Sequence, residues 1–291
     1  MSALEDCVSA IRARTALVPR VGVVLGSGLG GAADRVALTM PGQPDGATFL
    51  TSELPEWPHS TVLGHDGKLV LGYWGGTPVA VLRGRTHAYE GYELSRITLP
   101  HRVLAALGIE TLLVTNAVGT FNTAFAPGDL MLVRDHVNHI GRRGLFTRAE
   151  LTAAPEVSRA AIGARRPYSP EVLETLRAVA REGKIRLREG ILLAGKGPAY
   201  ETAAEIRMAR QFGADAACMS SAHEMDLAAA FGLKTGAVSC ITNYGTGLSP
   251  HALTHHEVEQ VAGEAAGRLE SLLAGTIARL WSDRESAENL R

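Results

Sequence analysis

The segment that most constrains the fold of this 291-residue chain is the apolar run Val21–Leu25. Every position is apolar or glycine, so the pattern predicts a strand covered on both faces rather than one with a face in water. Gly26-Ser27-Gly28 ends the run. Strands of this kind belong to sheets with helices on either side, so we expect an α/β fold.

Further strand and helix patterns alternate along the chain without a linker or an internal repeat. Strands are predicted over residues 21–25, 68–73, 78–82, 111–115, 130–133, 190–194 and 235–241. Helices are predicted over residues 3–14, 94–107, 169–182, 202–212, 221–231 and 255–281. A hairpin turn is expected at Gly75-Gly76, a long loop over residues 40–66 and a frayed tail over residues 282–291. The pattern predicts one α/β domain over residues 1–291 with a mixed sheet.

The composition disfavours several functional classes. Lys and Arg number 29 against 30 Asp and Glu, and the net charge of -1 argues against a nucleic-acid-binding surface. Three widely spaced cysteines make neither a disulfide framework nor a zinc knuckle. No apolar stretch approaches the ~20 residues of a membrane span, and the first residues do not resemble a signal peptide. We therefore predict a cytoplasmic protein without a membrane partner.

The glycine-rich turn Gly26–Gly31 fits the dinucleotide-binding pattern G-x-G-x-x-G. That site needs an acidic residue at the end of a second strand about 20 residues later, and Asp45 lies instead among Pro and Gly. We favour a simpler function, in which backbone N–H groups at a helix start and the Ser27 hydroxyl bind an anion. A tight turn without a ligand is the alternative.

A second candidate cluster follows the predicted hairpin. Arg85, His87 and Tyr89 alternate along the chain, so their side chains can point to one side. The planar guanidinium of Arg85 suits a bound anion. The alternative is a solvated polar loop.

Other titratable groups carry weaker signals. His251, His255 and Glu259 are spaced four residues apart, which could suggest a metal site on a helix, but H-E-x-x-H is absent and we predict no metal. The pairs Asp135-His136 and His223-Glu224 are interpreted as packing and supporting groups.

Seven segments carry the most specific patterns of the chain. They are VGVVLGSGLG (21–30), STVLGHDGKL (60–69), GRTHAYEGYEL (84–94), LLVTNAVGTFN (112–122), GDLMLVRDHVN (128–138), GKGPAYETAAEIRMARQFGADAACMSSAHE (195–224) and ITNYGTGLSPHALTHHEV (241–258). In this order they resemble the trimeric, low-molecular-mass purine nucleoside phosphorylase family.

The resemblance implies an α/β fold, with helices around a mixed sheet that closes into a distorted β-barrel, and assembly as a homotrimer. It also implies the reversible reaction of a purine nucleoside with phosphate to give the free base and ribose 1-phosphate. The resemblance implies no metal or organic cofactor. Inorganic phosphate is a co-substrate.

The resemblance also assigns roles. The implied phosphate ligands are Ser27, Arg85, His87, the backbone N–H of Ala117, and Ser220. The implied purine contacts are Ala117, Val118, Gly119, Tyr200, Glu201 and Asn243, and the implied ribose contacts are Tyr89, Met219 and His256. Among these, His87, Glu201 and Asn243 are the expected catalytic residues.

Glu201 and Asn243 predict the preferred base. A carboxylate at Glu201 accepts from N1–H of a 6-oxopurine, but it would face a lone pair at N1 of adenine unless it were protonated. Asn243 can donate to N7 as negative charge builds there. The pair therefore predicts inosine- or guanosine-like substrates. Without this context, Glu201 could be a helix N-terminal acid and Asn243 part of a turn.

The chain departs from the family pattern in three places. Val118 and Thr120 replace small residues, which adds bulk in a loop expected to pass the phosphate and base. Residues 139–167 are rewritten, with Phe146 as a candidate for the aromatic residue lent to a neighbouring subunit, and Arg165-Arg166 replace an acidic residue. We therefore expect altered sugar tolerance.

Three alternative functions remain open at this stage: a phosphorylase for adenine or 5′-modified nucleosides, a non-catalytic nucleoside- or phosphate-binding protein on the same fold, and a nucleoside hydrolase.

Overall fold

The computed structural model describes residues 2–62, 64–153, 166–248 and 255–289, with the side chains of residues 153, 255–257 and 283–289 outside that description. The described strands are β1 (Val21–Leu25), β2 (Ala47–Leu50), β3 (Lys68–Trp74), β4 (Thr77–Arg83), β5 (Thr111–Thr120), β6 (Leu130–Asn138), β7 (Leu187–Ala194), β8 (Ala216–Cys218) and β9 (Lys234–Tyr244). The described α-helices are α1 (Ala3–Arg12), α2 (Leu94–Ile97), α3 (Leu99–Leu107), α4 (Arg148–Ala153), α5 (Pro170–Glu182), α6 (Ala203–Gln211), α7 (Ala222–Ala230) and α8 (His255–Asn289).

The strands form one continuous mixed sheet in the order β2-β3-β4-β1-β5-β8-β7-β6-β9. An additional parallel pairing between β5 and β9 joins the ends of the last five strands. These five strands therefore close into a barrel, and β2, β3, β4 and β1 extend the sheet from β5. The predicted mixed sheet with a distorted barrel and surrounding helices is confirmed.

Strand β1 has the central position that its sequence predicts. All five of its residues are buried, and it pairs in parallel with β4 on one side and β5 on the other. The predicted hairpin is also confirmed, since β3 and β4 pair antiparallel about Gly75-Gly76, both at positive φ. Positive φ at both central positions gives the turn a twist that matches the strands.

The helix predicted over residues 94–107 is two helices, α2 and α3, which meet at Thr98. Pro100 lies in the first turn of α3, where its missing N–H costs no hydrogen bond, but its ring clashes with a preceding helical turn. The prediction of one continuous helix was therefore wrong.

Two other predictions differ from the observed elements, and strand β8 was not predicted. The long loop over residues 40–66 contains β2, which pairs only with β3 at the sheet edge. Strand β8 has three residues, too few for a periodicity signal. Helix α8 continues to Asn289, so the predicted end at residue 281 and the frayed tail after it came too early.

Helix α8 closes the core with an apolar stripe. Its buried residues recur three or four positions apart, which is the spacing of one helix face. They are Ala262, Ala265, Leu269, Leu272, Leu273 and Ile277, each no more than 1% exposed. Within the described residues, no helix combines the length and apolar character needed to cross a bilayer.

A substitution in this stripe tests its contribution. Leu272→Ala removes a fully buried side chain and leaves a cavity, so the free energy of unfolding should fall by ~2–5 kcal/mol. Ser271→Ala, at the exposed neighbouring position, is the matched control and should change it little. Urea denaturation measures both, and equal stability of the two variants would contradict the packing described.

Candidate active site

One cavity of about 680 Å³ collects the predicted site residues. It is lined by residues that follow β4, by β5, by the segment before α6, by the β8–α7 connection and by the end of β9. The predicted residues that line it are Ser27, Arg85, His87, Tyr89, Ala117, Val118, Gly119, Tyr200, Glu201, Met219, Ser220 and Asn243. His256 lies in α8, and its side chain is outside the described part of the chain. The candidate anion and base residues thus face the same space.

We term the part of the cavity lined by Arg85, His87 and Ser220 its anion end. A buried ion pair between Arg85 and Glu224 organises this end. Arg85 Nε lies 2.7 Å from Glu224 Oε1, and the two side chains are 4% and 1% exposed. Arg85 Nη2 also donates to the Thr115 carbonyl at 2.8 Å. Burial raises the pKa of the Glu224 carboxyl, but the charge of Arg85 and contact with His101 outweigh it and hold that pKa well below its usual range. Glu224 therefore stays ionised and fixes the guanidinium.

Gly26 allows the glycine turn to lie against this pair. A Cβ at Gly26 would meet Asn116 Cα at 2.8 Å and Arg85 Nη1 at 3.2 Å, so only glycine permits this close approach. The turn leads into a short 3-10 helix, Gly30–Arg35. The predicted helix start after the glycine turn is therefore that of a short 3-10 helix.

His65 supports the anion end and was not among the predicted residues. Its Nδ1 accepts the Arg85 backbone N–H at 2.6 Å, and its Nε2 lies 2.9 Å from Ser27 Oγ. Burial, together with the charges of Arg85 and His87, lowers the pKa of His65 to about 3, so the ring is neutral. A neutral ring that accepts at Nδ1 carries its proton at Nε2, which donates to Ser27. The Ser27 hydroxyl proton is then free for a ligand.

His87 is held by Glu90. The Glu90 carboxylate accepts the His87 backbone N–H at 2.7 Å and lies 3.3 Å from His87 Nδ1. It also accepts the Thr61 backbone N–H at 2.6 Å, which ties the preceding loop to the site. Burial raises the pKa of Glu90, but these hydrogen bonds outweigh it and lower the pKa to about 2. Glu90 is therefore an anion that orients the imidazole.

Tyr89 packs directly on this imidazole. The ring of His87 stacks on that of Tyr89, with centroids 4.9 Å apart. Burial and the neighbouring Glu90 raise the pKa of Tyr89 to about 12, so its hydroxyl keeps its proton and can donate.

Glu201 also lines the cavity, just before α6. The capping box of that helix is formed by Thr202 and Glu205, so Glu201 is not the residue that caps it. Burial raises the pKa of the Glu201 carboxyl, and the nearby charge of Glu205 adds to this effect. Tyr200, which is 52% exposed, lies at the mouth of the cavity.

Asn243 has a fixed amide orientation. The β5–β9 register shifts between Val118 and Gly119, which leaves Thr242 as the extra residue of a bulge and sets Asn243 opposite Gly119. Thr242 Oγ1 donates to Asn243 Oδ1 at 2.8 Å, and Asn243 Nδ2 donates to the Tyr244 carbonyl at 2.9 Å. A Cβ at Gly119 would meet Asn243 Nδ2 at 2.7 Å, so a larger residue there would displace the amide. One N–H of Asn243 remains for a ligand.

Three residues singled out as departures have clear positions. Val118 lines the cavity, as expected for a residue that adds bulk there. Thr120 does not line it, because its hydroxyl points away and donates to the Asp215 carbonyl at 3.0 Å; the expectation that it crowds the site was wrong. The segment that holds both is part of strand β5 rather than a loop. Phe146 packs partly against apolar residues of its own chain, including Ala88.

No group of three or more metal-ligating side chains occurs among the described residues. His251 and the side chain of His255 lie outside the described residues. That they form no metal site with Glu259 therefore stays a prediction.

Comparison with known protein families agrees with this geometry. A family model described as the phosphorylase superfamily matches residues 20–278. The chain therefore belongs to the phosphorylase superfamily.

Within that superfamily, the relatives identify the branch. The chain is 40% identical to purine nucleoside phosphorylase 1 of Geobacillus stearothermophilus, over 88% of this chain and 90% of that protein. It is 36% identical to purine nucleoside phosphorylase 1 of Bacillus subtilis, over 95% and 98%. A Schistosoma mansoni purine nucleoside phosphorylase solved with adenosine superposes with a TM-score of 0.82 at 30% identity, over 95% of this chain and 98% of that one. The chain is thus a member of the purine nucleoside phosphorylases.

A second solved structure shows what a relative's site accommodates. Isoform 2 of the Schistosoma mansoni purine nucleoside phosphorylase, solved with cytosine and ribose-1-phosphate, superposes with a TM-score of 0.82 at 30% identity, over 96% of each chain.

The ionised state of Glu90 makes a prediction about acid stability. Because its pKa is lowered in the folded chain, the carboxylate stabilises the fold above its ordinary pKa of 4.5, and this contribution is lost as the pH falls toward about 2. Glu90→Gln removes the charge, so its unfolding free energy should fall less steeply below about pH 5 than that of the wild type. Glu53→Gln, at an exposed carboxylate, should follow the wild type. Parallel curves for wild type and Glu90→Gln in urea denaturation would contradict the assignment.

Proposed function

We propose that this protein catalyses the reversible phosphorolysis of 6-oxopurine nucleosides to the free base and ribose 1-phosphate. One observation carries the proposal: a single cavity is lined both by Arg85 and His87, its proposed anion end, and by Glu201 and Asn243, its proposed base end. An anion seat and a base-recognition pair in one space fit a reaction that joins phosphate to a sugar as a purine leaves.

At the anion end, the proposed phosphate ligands are Ser27, Arg85, His87, the Ala117 backbone N–H and Ser220. The guanidinium supplies fixed charge, and the hydroxyl of Ser27 is free to donate because His65 occupies its acceptor side. Glu224 and Glu90 hold Arg85 and His87 without facing the ligand. The end thus favours a doubly charged oxyanion.

At the base end, the proposed roles follow the transfer of electrons. A phosphate oxygen forms a bond to C1′ while the C1′–N9 bond breaks, and the electron pair of that bond moves into the purine. The remaining N–H of Asn243 donates to N7, where this charge accumulates. Ionised Glu201 accepts N1–H of the 6-oxopurine. Tyr89 and Met219 contact the ribose between the two ends, with His256 proposed at the 5′-hydroxyl.

The two other classes of function fit less well. A nucleoside hydrolase needs water rather than an anion at C1′, so the charge of Arg85, fixed by Glu224, would have no purpose. A non-catalytic binding protein needs only one end of the cavity. Finding hypoxanthine bound in calorimetry without any turnover would favour that second class.

We further propose a homotrimer, a cytoplasmic location and a reaction without metal or organic cofactor. The trimer and the absence of a cofactor rest on the family resemblance. The location is supported by three free, buried cysteines, which suit a reducing compartment.

A nucleoside panel tests the proposed reaction. Release of base from inosine and guanosine should depend on phosphate and persist in the presence of a chelator. Arg85→Ala should abolish it, whereas Arg14→Ala, at an exposed arginine, should not. Base release in the absence of phosphate would instead indicate a hydrolase. Adding 5′-substituted analogues tests the expected change in sugar tolerance, and exclusive use of ordinary ribonucleosides would contradict it.

The raised pKa of Glu201 predicts a pH-dependent base preference. Because burial raises the pKa, the protonated form, which can donate to N1 of adenine, grows as the pH falls, and the ionised form grows as the pH rises. The ratio of kcat/KM for inosine to that for adenosine should therefore increase from about pH 5 to about pH 8.

Two variants complete this test. Glu201→Gln should make the ratio independent of pH, because the amide does not titrate. Glu205→Gln, four residues away on an exposed carboxylate, keeps Glu201 as the titrating group, so the ratio should still depend on pH; the change should move to lower pH, because the charge that adds to the raised pKa of Glu201 is removed. A preference for adenosine throughout the range would favour the alternative of an adenine nucleoside phosphorylase.

A further inference from the structure

We propose that Asn116 and Ser221 are positioning residues that set the direction of the Ser220 hydroxyl, so that its proton points into the anion end of the cavity. The proposal rests on the proposed function, in which Ser220 is a phosphate ligand. It concerns two residues of the chain to which the reaction itself assigns no role.

The three side chains form a buried chain of hydrogen bonds. Asn116 Nδ2 donates to Ser221 Oγ at 2.8 Å, and Ser221 Oγ lies 3.2 Å from Ser220 Oγ. The residues Asn116, Ser221 and Ser220 are 2%, 0% and 3% exposed. Asn116 and Ser220 both line the cavity. The chain therefore runs from strand β5 to the edge of the anion end.

The direction of this chain follows from the amide of Asn116 and the burial of Ser221. An amide nitrogen can only donate, so Ser221 Oγ accepts there. The Ser221 side chain is fully buried, and among the described residues only Ser220 Oγ can take its proton, so donation from Ser221 to Ser220 avoids an unpaired buried donor. Ser220 then accepts from Ser221, and its proton must point elsewhere. Since Ser220 lines the cavity, that proton is available to a ligand oxygen.

The opposite direction would disfavour a bound anion. If the Asn116 amide were reversed, its oxygen would take the Ser221 proton, and Ser220 would donate to Ser221. Ser220 would then present lone pairs to the anion, which would repel it. A bound phosphate therefore selects the orientation in which Asn116 donates.

Asn116 also carries an unpaired acceptor. Its Oδ1 is buried and has no hydrogen-bond partner among the described residues. An unpaired buried polar atom costs stability, and an apolar residue of similar size would avoid that cost. A polar residue that lowers stability at the wall of a candidate active site is expected where its side chain has a functional role.

The backbone of Ser221 brings the two hydroxyls together. Ser221 has φ 67° and ψ −46°, a conformation that residues other than glycine rarely adopt. The Ala222 N–H donates to the Ser220 carbonyl at 2.8 Å, which closes a tight turn around Ser221. The hydrogen bond from Asn116 holds this turn from the other side. The strained turn is thus part of the arrangement that directs Ser220.

Steady-state kinetics with inorganic phosphate and inosine test the proposal. Asn116→Ala, Ser221→Ala and Ser220→Ala should each raise the KM for phosphate about tenfold, the effect of losing one hydrogen bond to a charged ligand. The KM for inosine should not change. Ser221→Gly, which relieves the strained φ but lacks the hydroxyl, should behave like Ser221→Ala. Ser239→Ala removes an unpaired buried hydroxyl from the neighbouring strand β9 and should leave the KM for phosphate unchanged.

Double variants separate a positioning role from a general structural one. In the Ser220→Ala background, adding Asn116→Ala or Ser221→Ala should raise the KM for phosphate no further, because there is no hydroxyl left to direct. Multiplied effects in the double variants would overturn the proposal. Thermal melting of each variant verifies that it is folded, and Ser221→Gly provides the test if Asn116→Ala does not fold.

The outcomes also separate this proposal from the proposed function. If the wild type uses phosphate and Ser220→Ala weakens that use, but Asn116→Ala and Ser221→Gly do not, then only the positioning role is wrong. If Ser220→Ala leaves the KM for phosphate unchanged, the positioning role fails and the phosphorolysis stands. If the wild type shows no phosphate-dependent release of base, both fail.

Discussion

Arg85 and Glu224 meet 2.7 Å apart with both side chains almost fully buried, and the geometry of the anion end depends on that contact. A buried charge needs a partner, and each of these residues would be costly without the other. The pair joins the segment after β4 to helix α7, which are far apart in the sequence. It also leaves Arg85 Nη1 beside the glycine turn at Gly26. The proposed phosphate site therefore contains a cation that folding has already fixed.

Much of the fold could be predicted from local sequence. Strand β1 and the β3–β4 hairpin follow from runs of apolar residues bounded by glycines, because such patterns depend on nearby residues alone. Pro100 indicates a break between two helices, but the helical periodicity continues across it and favoured a single helix. Strands β2 and β8 were not predictable, since four and three residues carry no period and only their neighbours hold them in the sheet.

The site was predictable in part. The resemblance named residues that line one cavity, but the groups that orient them were missed. His65 stands between glycines in a segment quoted for the resemblance, and its role depends on Ser27 and on the Arg85 backbone, which lie about 20 to 40 residues away. Glu224 was treated as a supporting group without a partner. Contacts across such separations arise from the closed barrel, and the sequence pattern does not encode them.

Strand β5 sets the spacing of several residues that line the cavity. Residues 116–119 are consecutive in this strand and all line the cavity, so the rise of the strand, about 3.3 Å per residue, sets the spacing between the proposed phosphate contact at Ala117 and the proposed purine contact at Gly119. The barrel closes through this same strand, where β9 sets Asn243 opposite Gly119. A slip of one position between β5 and β9 would therefore move Asn243 away from Gly119 without altering any side chain. Barrel closure and the spacing of the proposed phosphate and purine contacts are, in this protein, a single geometric constraint.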